Sequence, residues 1–260
     1  MITKSADGVP IAYTVLGAGA PVVLLHGFTE TAESWQEAGY VERFLRAERQ
    51  VVLIDCRGHG GSGKPHEAAA YGGDRRARDV VAVLDALGIR AADLVGYSMG
   101  GMIALATALR FSERVRRLVV IGTHPFAQDM APYRFAVADG VERWLAMVEG
   151  QGVRLSDDTR RRMLANDIRA LQACVSHDRS DMSAALAALK APLLTIAGTA
   201  DPIFASVRAF AERVDGHFLA LEGRNHVTAF LPAAEIVTAI ERFLGGQAEA
   251  AVPFIQAEAE

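Results

Sequence analysis

One serine, Ser98, stands between Gly96 and Gly100 at the point where an apolar run ends and a helical pattern begins. This G-x-S-x-G arrangement is typical of a serine held on a sharp strand-to-helix turn, with its hydroxyl lifted out of the sheet. Glycine suits both flanking positions because a Cβ there would crowd the strand against the helix. The first amides of the predicted helix, over residues 99–111, would point at the same spot. With 24 glycines in the chain, the motif alone is not specific, and its context decides its meaning.

Short apolar runs alternate with helical patterns along most of the chain. The predicted strands are residues 2–5, 11–15, 21–25, 51–54, 94–95, 118–121, 192–197 and 218–221. The predicted helices are residues 32–46, 75–87, 99–111, 133–149, 157–177, 182–189, 204–214 and 233–244. Continuous apolar runs are typical of strands buried on both faces. The alternation predicts an α/β fold, a mostly parallel sheet with helices on both faces. Asp7-Gly8 predicts a hairpin between the first two strands.

The strand pattern disappears between Thr123 and Lys190, where only helical patterns occur. This stretch is too long for an ordinary connection between two strands. We therefore predict a small helical cap at residues 124–189, inserted into a core made of residues 1–123 and 190–245. Residues 246–260 are rich in alanine and glutamate and are expected to form a flexible tail.

Chemically capable residues follow four of the predicted strands: the segment 26–28, Ser98, Asp201 and His226. The carboxyl ends of parallel strands meet at one edge of a sheet, so these residues are expected to lie close together. The chain order serine, acid, histidine is the one expected for a serine on this kind of turn. An acid on the preceding strand end is the known variant, but residues 122–124 hold no carboxylate. Asp201 is therefore the predicted acid.

The chemistry of these residue types assigns a role to each. Ser98 is a weak nucleophile until a base takes its proton, and His226 can take that proton and return it to a leaving group. Asp201 would hold the imidazole tautomer and stabilise the imidazolium. The backbone N–H groups of Phe28 and Met99 are predicted to form the oxyanion hole. Asp201 could also be a helix cap, and His226 a surface residue, but their order and strand context together favour catalysis.

Four further residues are candidate substrate contacts. His26 and Gly27 let their loop turn so that the next amide faces the serine. His124 lies where the sheet leads into the predicted cap, and Trp144 lies within that cap. No acidic or basic cluster of the cap is clearly aimed at the site. A small, mostly apolar and uncharged acyl substrate is therefore expected.

A glycine-rich stretch at residues 58–65 formally matches two phosphate-binding motifs. A proline follows its lysine where a P-loop needs a hydroxyl for Mg²⁺, and no clear helix begins there. Asp79, at about the distance of the acid in a dinucleotide motif, lies inside a helical pattern rather than at a strand end. We expect no cofactor and no metal. Asp55, Arg57 and His59 are interpreted as a network that locks this loop.

Composition limits the partners and the location. The formal net charge of -4 and pI of about 6.0 give no reason to expect nucleic acid or an anionic membrane. No apolar run approaches the roughly 18 residues of a membrane span, and the N-terminus lacks the apolar segment of a signal peptide. Cys56 and Cys174 are too few for a disulfide framework and are expected to be free thiols, although one pair could bridge. We expect a cytoplasmic protein, monomer or homo-oligomer. Its preference for arginine over lysine favours a bacterial source.

Taken together, the motifs resemble the α/β-hydrolase superfamily, and within it the small capped esterases, lactonases and cofactor-free haloperoxidases. The residues that carry the resemblance are His26-Gly27, Asp55-x-Arg57-Gly58-His59-Gly60-x-Ser62, Gly96-Tyr97-Ser98-Met99-Gly100-Gly101, Asp201 and His226. The resemblance covers roughly residues 1–245. It implies an eight-stranded sheet whose first strands are antiparallel, and a lid over the site. Epoxide hydrolases and dehalogenases of this fold use an aspartate at the turn, so Ser98 speaks against both.

The expected activity is hydrolysis of a carboxylic ester or lactone through an acyl-enzyme intermediate. Related chemistry on the same residues cleaves carbon–carbon bonds or makes peracids, so a C–C bond hydrolase and a cofactor-free perhydrolase or haloperoxidase stay open. A third hypothesis is a non-catalytic binding protein built on the same fold. The complete set of serine, histidine and aspartate speaks against it.

Overall fold

The computed structural model describes residues 1–231 and 234–246. Eight strands form one sheet: β1 (Ile2–Lys4), β2 (Pro10–Leu16), β3 (Ala20–Leu25), β4 (Arg49–Ile54), β5 (Ala92–Tyr97), β6 (Val115–Ile121), β7 (Leu193–Gly198) and β8 (His217–Leu221). Their order is β1-β2-β4-β3-β5-β6-β7-β8. β2 is antiparallel to both β1 and β4, and every other pairing is parallel. The predicted sheet and its antiparallel start are confirmed.

Ten α-helices accompany these strands in the described part of the chain: α1 (Glu33–Glu37), α2 (Tyr40–Arg46), α3 (Gly73–Ala86), α4 (Met99–Arg110), α5 (Ala131–Ala136), α6 (Glu142–Glu149), α7 (Asp157–Leu164), α8 (Ile168–Cys174), α9 (Phe204–Arg213) and α10 (Ala234–Leu244). Short 3-10 helices occupy Ala68–Tyr71, Ser112–Arg114, Ser183–Ala188 and Thr228–Phe230. None of the described helices has the length and apolar content needed to cross a membrane.

Two apolar layers cover the sheet because successive residues of a strand point to opposite faces. On β3, Val23 and Leu25 pack into the layer formed with α3, α4 and α9. Val22 and Leu24 pack into the layer formed with α1, α2 and α10. All four are fully buried. The continuous apolar runs of the sequence therefore correspond to strands that are covered twice.

Three predicted helices are each broken into two. Residues 32–46 divide at Gly39, which has a φ of 77°, and residues 133–149 divide near Gly140, which has a φ of 145°. Residues 157–177 divide before Asp167, whose carboxylate accepts the Ala170 N–H and starts a new helix. Both helices of each pair bury apolar side chains. The helical spacing of apolar residues therefore continues across the break, and the sequence pattern does not reveal it.

The remaining predictions on secondary structure differ in smaller ways. The helix predicted at 182–189 is a 3-10 helix over Ser183–Ala188. The last helix begins at Ala234, and the position before it is outside the described residues. Beyond Gly246, the predicted tail also lies outside the described residues.

Both cysteines are free thiols, as expected.

A buried guanidinium locks the loop after β4. Arg57 is 1% exposed, and it donates to the Asp79 carboxylate on α3 from Nε at 2.6 Å and from Nη2 at 2.5 Å. Its Nη1 donates to Asp7 in the hairpin turn at 2.8 Å. Asp55 accepts the N–H groups of Ala32 and Gly61, both at 2.8 Å. The predicted locking network is confirmed, and Asp79 belongs to it.

The helix α4 approaches the centre of the sheet so closely that side chains are excluded at two positions. A Cβ at Gly100 would overlap the carbonyl oxygen of Leu25 on β3, and a Cβ at Gly96 would overlap the carbonyl of Gly100. Backbone atoms cannot yield as a flexible side chain can. The glycines of the motif are therefore required by packing as well as by turn geometry.

We expect the Gly100→Ala variant to lose about 3 kcal/mol or more of unfolding free energy, because the new methyl group forces α4 away from β3. Gly73→Ala is the matched control. Its Cβ would lie 3.9 Å from the Ala106 Cβ, in ordinary contact, and alanine favours a helix by up to about 1 kcal/mol. Denaturant unfolding compares the two. Equal stability of both variants would contradict the close approach.

Candidate active site

Ser98 joins β5 to α4 in a backbone conformation that ordinary residues avoid. Its φ is 50° and its ψ is -112°, and such a position costs on the order of 1–3 kcal/mol unless the surroundings impose it. Its N–H donates to the Ile121 carbonyl at 2.8 Å, and its own carbonyl accepts the Met102 N–H at 3.1 Å. The turn is therefore held from the sheet on one side and from the helix on the other.

His226 stands between Ser98 and Asp201 in one hydrogen-bonded chain. Its Nε2 lies 3.0 Å from the Ser98 Oγ, and its Nδ1 lies 2.7 Å from the Asp201 Oδ2. Since an ionised carboxylate only accepts, Nδ1 carries the proton and Nε2 is free to accept from the serine hydroxyl. The second oxygen of Asp201 accepts the Ile203 N–H at 3.1 Å. Both carboxylate oxygens are thereby oriented.

Two glycines bring the three loops together. Gly122, after β6, has a φ of 61°, and a Cβ there would lie only 3.0 Å from the His226 ring. Gly198, at the end of β7, leaves room for the Arg224 carbonyl, which a Cβ would overlap. The Tyr97 hydroxyl adds a bond to the His226 carbonyl at 3.2 Å. Small residues and one buried phenol thus set the position of the imidazole.

Two backbone N–H groups next to Ser98 are available to a bound oxygen. In the part of the chain that the structure describes, neither the Phe28 nor the Met99 N–H donates to a protein acceptor. Met99 opens α4, so its N–H is among the first amides without an intrahelical partner. Thr29 follows Phe28 with a φ of 65°, and its hydroxyl donates to the Phe28 carbonyl at 2.6 Å. This geometry fixes the peptide planes of the loop.

Two fully buried histidines hold that loop in place. His26 Nε2 accepts the Cys56 N–H at 3.0 Å, and its Nδ1 donates to the carbonyl of the next residue at 2.8 Å. His59 Nε2 accepts the Thr29 N–H at 3.2 Å, and its Nδ1 donates to the carbonyl two residues before it. Burial lowers the pKa of both rings, that of His59 to about 3. Both are neutral at physiological pH, so they position backbone and exchange no protons.

A cavity of about 790 Å³ lies over Ser98, and the helical segment between β6 and β7 forms much of its wall. The residues lining it include Ser98, Asp201 and His226, apolar side chains such as Tyr133, Trp144, Met147, Val148, Met163 and Phe230, and the polar side chains of Glu30, Gln128 and Arg179. Trp144 stands edge-on to Phe28, with ring centroids 5.1 Å apart. Of the predicted substrate contacts, Trp144 is on this wall.

His26, Gly27 and His124 are not among the described residues that line the cavity. His26 bonds to backbone groups within this loop and the loop after β4, as described above, and the carbonyl of Gly27 accepts one of those bonds. His124 is buried, stacks on Phe126 at 5.5 Å between ring centroids, and has an Nδ1 without a hydrogen-bond partner among the described residues. Burial first, and the charge of Arg179 next, lower its pKa. His124 follows the end of β6, but this position in the chain does not place it on the cavity wall.

Glu30 is a residue of this wall that motif reasoning missed. Its Oε2 accepts the Gly27 N–H and the Ser34 hydroxyl, each at 3.2 Å. Burial raises the pKa of this carboxyl to about 7. Its sequence neighbours are ordinary loop residues, so no local signal marks it. Its environment arises only when the loop after β3 folds against β5.

Comparisons with known proteins identify the family of this chain. A model of the family described as "alpha/beta hydrolase fold" matches residues 20–185, and the chain belongs to that family. It is 40% identical to the 2-hydroxymuconate semialdehyde hydrolase of Pseudomonas sp. (strain CF600), over 48% of this chain and 42% of that protein. The chain spans less than two thirds of the length of the curated relatives that it matches.

Solved structures resemble nearly the whole chain. A hydrolase from Pseudomonas aeruginosa PA01 superposes with a TM-score of 0.81 at 24% identity, covering 94% of this chain and 98% of the other. The enol-lactonase from Burkholderia xenovorans LB400 superposes with a TM-score of 0.76 at 22% identity, covering 95% and 98%. At these identities the likeness concerns the fold.

We expect Glu30→Gln to change the pH dependence of stability. The pKa of this carboxyl is higher in the folded protein than in the unfolded protein. The unfolding free energy of the wild type therefore falls as pH rises from about 4.5 to about 7. The variant has no charge to bury, so at pH 8 its unfolding free energy should exceed that of wild type by about 1–3 kcal/mol. Near pH 4 the two should agree. Urea unfolding across this range measures it, and a pH-independent difference would contradict the raised pKa.

We expect His59→Ala to cost about 2–4 kcal/mol of unfolding free energy, because it opens a cavity and leaves the buried Thr29 N–H without an acceptor. His177→Ala is the control. That histidine is exposed, and its one hydrogen bond within the described residues is to the neighbouring Ser176, so its loss should cost no more than about 0.5 kcal/mol. Thermal and urea unfolding of both variants give the comparison. A loss below 1 kcal/mol for His59→Ala would show that the loop after β3 keeps its conformation without this histidine.

Proposed function

We propose that this chain is a serine hydrolase that cleaves a carboxylic ester or lactone through an acyl-enzyme intermediate. The observation that carries the proposal is the hydrogen-bonded chain of Ser98, His226 and Asp201, with contacts of 3.0 and 2.7 Å. It lies on the wall of a largely apolar cavity. A strained serine, an oriented imidazole and two unbonded N–H groups form a constellation suited to acyl transfer.

In the proposed acylation step, His226 Nε2 removes the Ser98 proton as Oγ attacks the carbonyl carbon. The carbonyl oxygen becomes an anion facing the N–H groups of Phe28 and Met99. Asp201 holds the Nδ1 proton and stabilises the imidazolium. The ester oxygen then takes the proton from Nε2 and leaves as an alcohol, and Ser98 keeps the acyl group.

Deacylation repeats these roles with water as the nucleophile. The water gives its proton to His226 Nε2 and attacks the acyl carbon, and the Ser98 oxygen leaves and is reprotonated. For a lactone the alcohol and the acid are the two ends of one opened product. No proton donor beyond His226 is required in either step.

We propose that residues 124–189 act as a cap over this chemistry. Trp144 packs on Phe28, the Asn166 amide donates to the Thr29 carbonyl at 2.8 Å, and the Gln151 carbonyl accepts from Asn225 at 2.8 Å. These contacts connect the helical segment to the loops around Ser98. A covered site excludes bulk water and strengthens the electrostatic interactions inside it.

A C–C bond hydrolase is the second candidate, favoured by the 40% identity to the 2-hydroxymuconate semialdehyde hydrolase over 48% of this chain. A cofactor-free perhydrolase or haloperoxidase uses the same three residues. Rates on short p-nitrophenyl esters, on ring-fission diketones and in peroxide-dependent halogenation separate the three. The ester proposal predicts the highest kcat/KM on esters, and a higher value on a diketone would replace it.

We expect Ser98→Ala to lower kcat/KM on a p-nitrophenyl ester by at least about 10³-fold while the unfolding midpoint stays near that of wild type. A serine-directed phosphonate should label the wild type at Ser98 and leave the variant unlabelled. Ser206→Ala on α9 is the control and should retain full activity. If the phosphonate labels another residue, or Ser98→Ala keeps the full activity, the nucleophile is not Ser98. If the wild type neither cleaves esters nor reacts with the phosphonate, a binding protein is the better interpretation.

A further inference from the structure

Arg179 lines the cavity that holds Ser98, and no carboxylate of the described residues neutralises its guanidinium. The residue is partly buried and lines that cavity. Its side chain donates from Nη1 to the Gln128 Oε1 at 2.9 Å. Within the described residues it forms no ion pair. A guanidinium has five N–H donors, and among the described residues the hydrogen-bond acceptor for this side chain is the Gln128 amide oxygen.

Several arginines of the helical segment differ from Arg179 in having acidic partners. Arg134 pairs with Asp178 at 2.8 Å, and Arg162 pairs with Glu37 at 2.5 Å. Burial lowers the pKa of the Arg179 guanidinium, and the charge of Arg76 lowers it further. A desolvated charge without a counter-charge is costly. The missing partner is therefore expected to come from outside the chain.

A second cavity, of about 480 Å³, meets the first at Phe28, Tyr133 and Arg179. Arg76 lines this second cavity and donates to the Tyr71 carbonyl at 2.8 Å. It too forms no ion pair within residues 1–231 and 234–246. Arg76 and Arg179 line this second cavity together and repel each other. The acid that also lines it, Asp178, pairs with Arg134 at 2.8 Å.

The backbone around Arg179 is held rigidly enough to serve as a binding position. Gln128 and Arg179 exchange two main-chain hydrogen bonds, at 3.1 and 2.9 Å, in an isolated antiparallel bridge. The side chain of Gln128 then orients the guanidinium. A planar guanidinium whose orientation is fixed by one hydrogen bond is suited to bind a carboxylate, which accepts two parallel N–H bonds.

Building on the proposed function, we propose that Arg179 binds a carboxylate of the substrate while the scissile carbonyl lies at Ser98. The substrate class is then an ester or lactone that carries a carboxylate, with its apolar part against Trp144 and Met147. This differs from the uncharged substrate expected from the sequence. The apolar walls suit the body of such a molecule, and the guanidinium suits one end.

Matched pairs of esters test the charge directly. Mono-p-nitrophenyl glutarate carries a carboxylate on its acyl chain, and p-nitrophenyl valerate is its neutral counterpart. The pair 4-butyryloxybenzoate and its methyl ester places the same charge on the leaving group. We expect Arg179→Gln to lower kcat/KM at least about tenfold on one of the two charged esters, mainly through KM. Rates on the neutral esters should stay within about twofold, and Arg179→Lys should recover part of the loss.

Arg154→Gln is the matched control, because Arg154 lines the same cavity but is exposed. Removing a rim charge should change the charged-ester rates less than about threefold. The proposal is overturned if Arg179→Gln lowers the rates on charged and neutral esters equally, or lowers neither. It is also overturned if Arg154→Gln has the same effect, since the selectivity would then belong to the rim.

Binding without turnover separates this proposal from the proposed function. Calorimetric titration of glutarate into Ser98→Ala should give heat that is lost in the double variant Ser98→Ala/Arg179→Gln. If wild type cleaves no ester but glutarate binds through Arg179, the hydrolase proposal fails and the carboxylate subsite stands. If esters are cleaved but neither the kinetics nor glutarate binding depends on Arg179, the subsite fails alone. Absence of both activity and binding contradicts both.

Discussion

The close approach of α4 to β3 and β5 is the constraint on which the rest of the site depends. Backbone meets backbone at Gly96 and Gly100, where a Cβ would overlap main-chain atoms. That contact imposes the unusual dihedral angles of Ser98 and aims the first amides of the helix at its hydroxyl. The loops after β7 and β8 need only bring a carboxylate and an imidazole to a serine that is already in place. In the proposed reaction, groups that are already in position need not rearrange as the transition state forms.

Around this centre, neutral buried histidines and one buried ion-pair network perform structural work. In the described part of the chain, the hydrogen bonds of the His26 and His59 rings all go to backbone groups of their own and neighbouring loops, and burial keeps both rings uncharged. Arg57 joins the hairpin turn, the loop after β4 and α3. A histidine close to a catalytic serine is easily mistaken for a proton carrier. Burial and fixed partners argue against that role for His26 and His59. In the proposed mechanism the proton is carried by His226, which is partly exposed and whose Nε2 lies 3.0 Å from the Ser98 Oγ.

The charges on the cavity wall show where sequence reasoning is weakest. The mostly parallel sheet follows from the apolar runs, and its antiparallel start from the Asp7-Gly8 turn and the family resemblance; both agree with the structure. The order of the strands was not predicted. The breaks near Gly39, Gly140 and Asp167 were hidden because apolar spacing continues across them. Glu30 and Arg179 were not recognised, since a carboxyl with a raised pKa and an arginine without an acid among the described residues are defined by surroundings drawn from distant parts of the chain.

By itself the sequence determined the α/β architecture, the serine on its turn and the order of serine, acid and base. Those features are local patterns of apolar spacing, glycine and polar residues at strand ends, and their meaning does not depend on distant contacts. Only the tertiary structure decided which polar residues face the cavity. It placed Trp144 on the cavity wall, buried His124 away from that wall, and gave Arg179 no acidic partner among the described residues. Burial and charge balance are sums over segments far apart in sequence, so they exist only after the chain has folded.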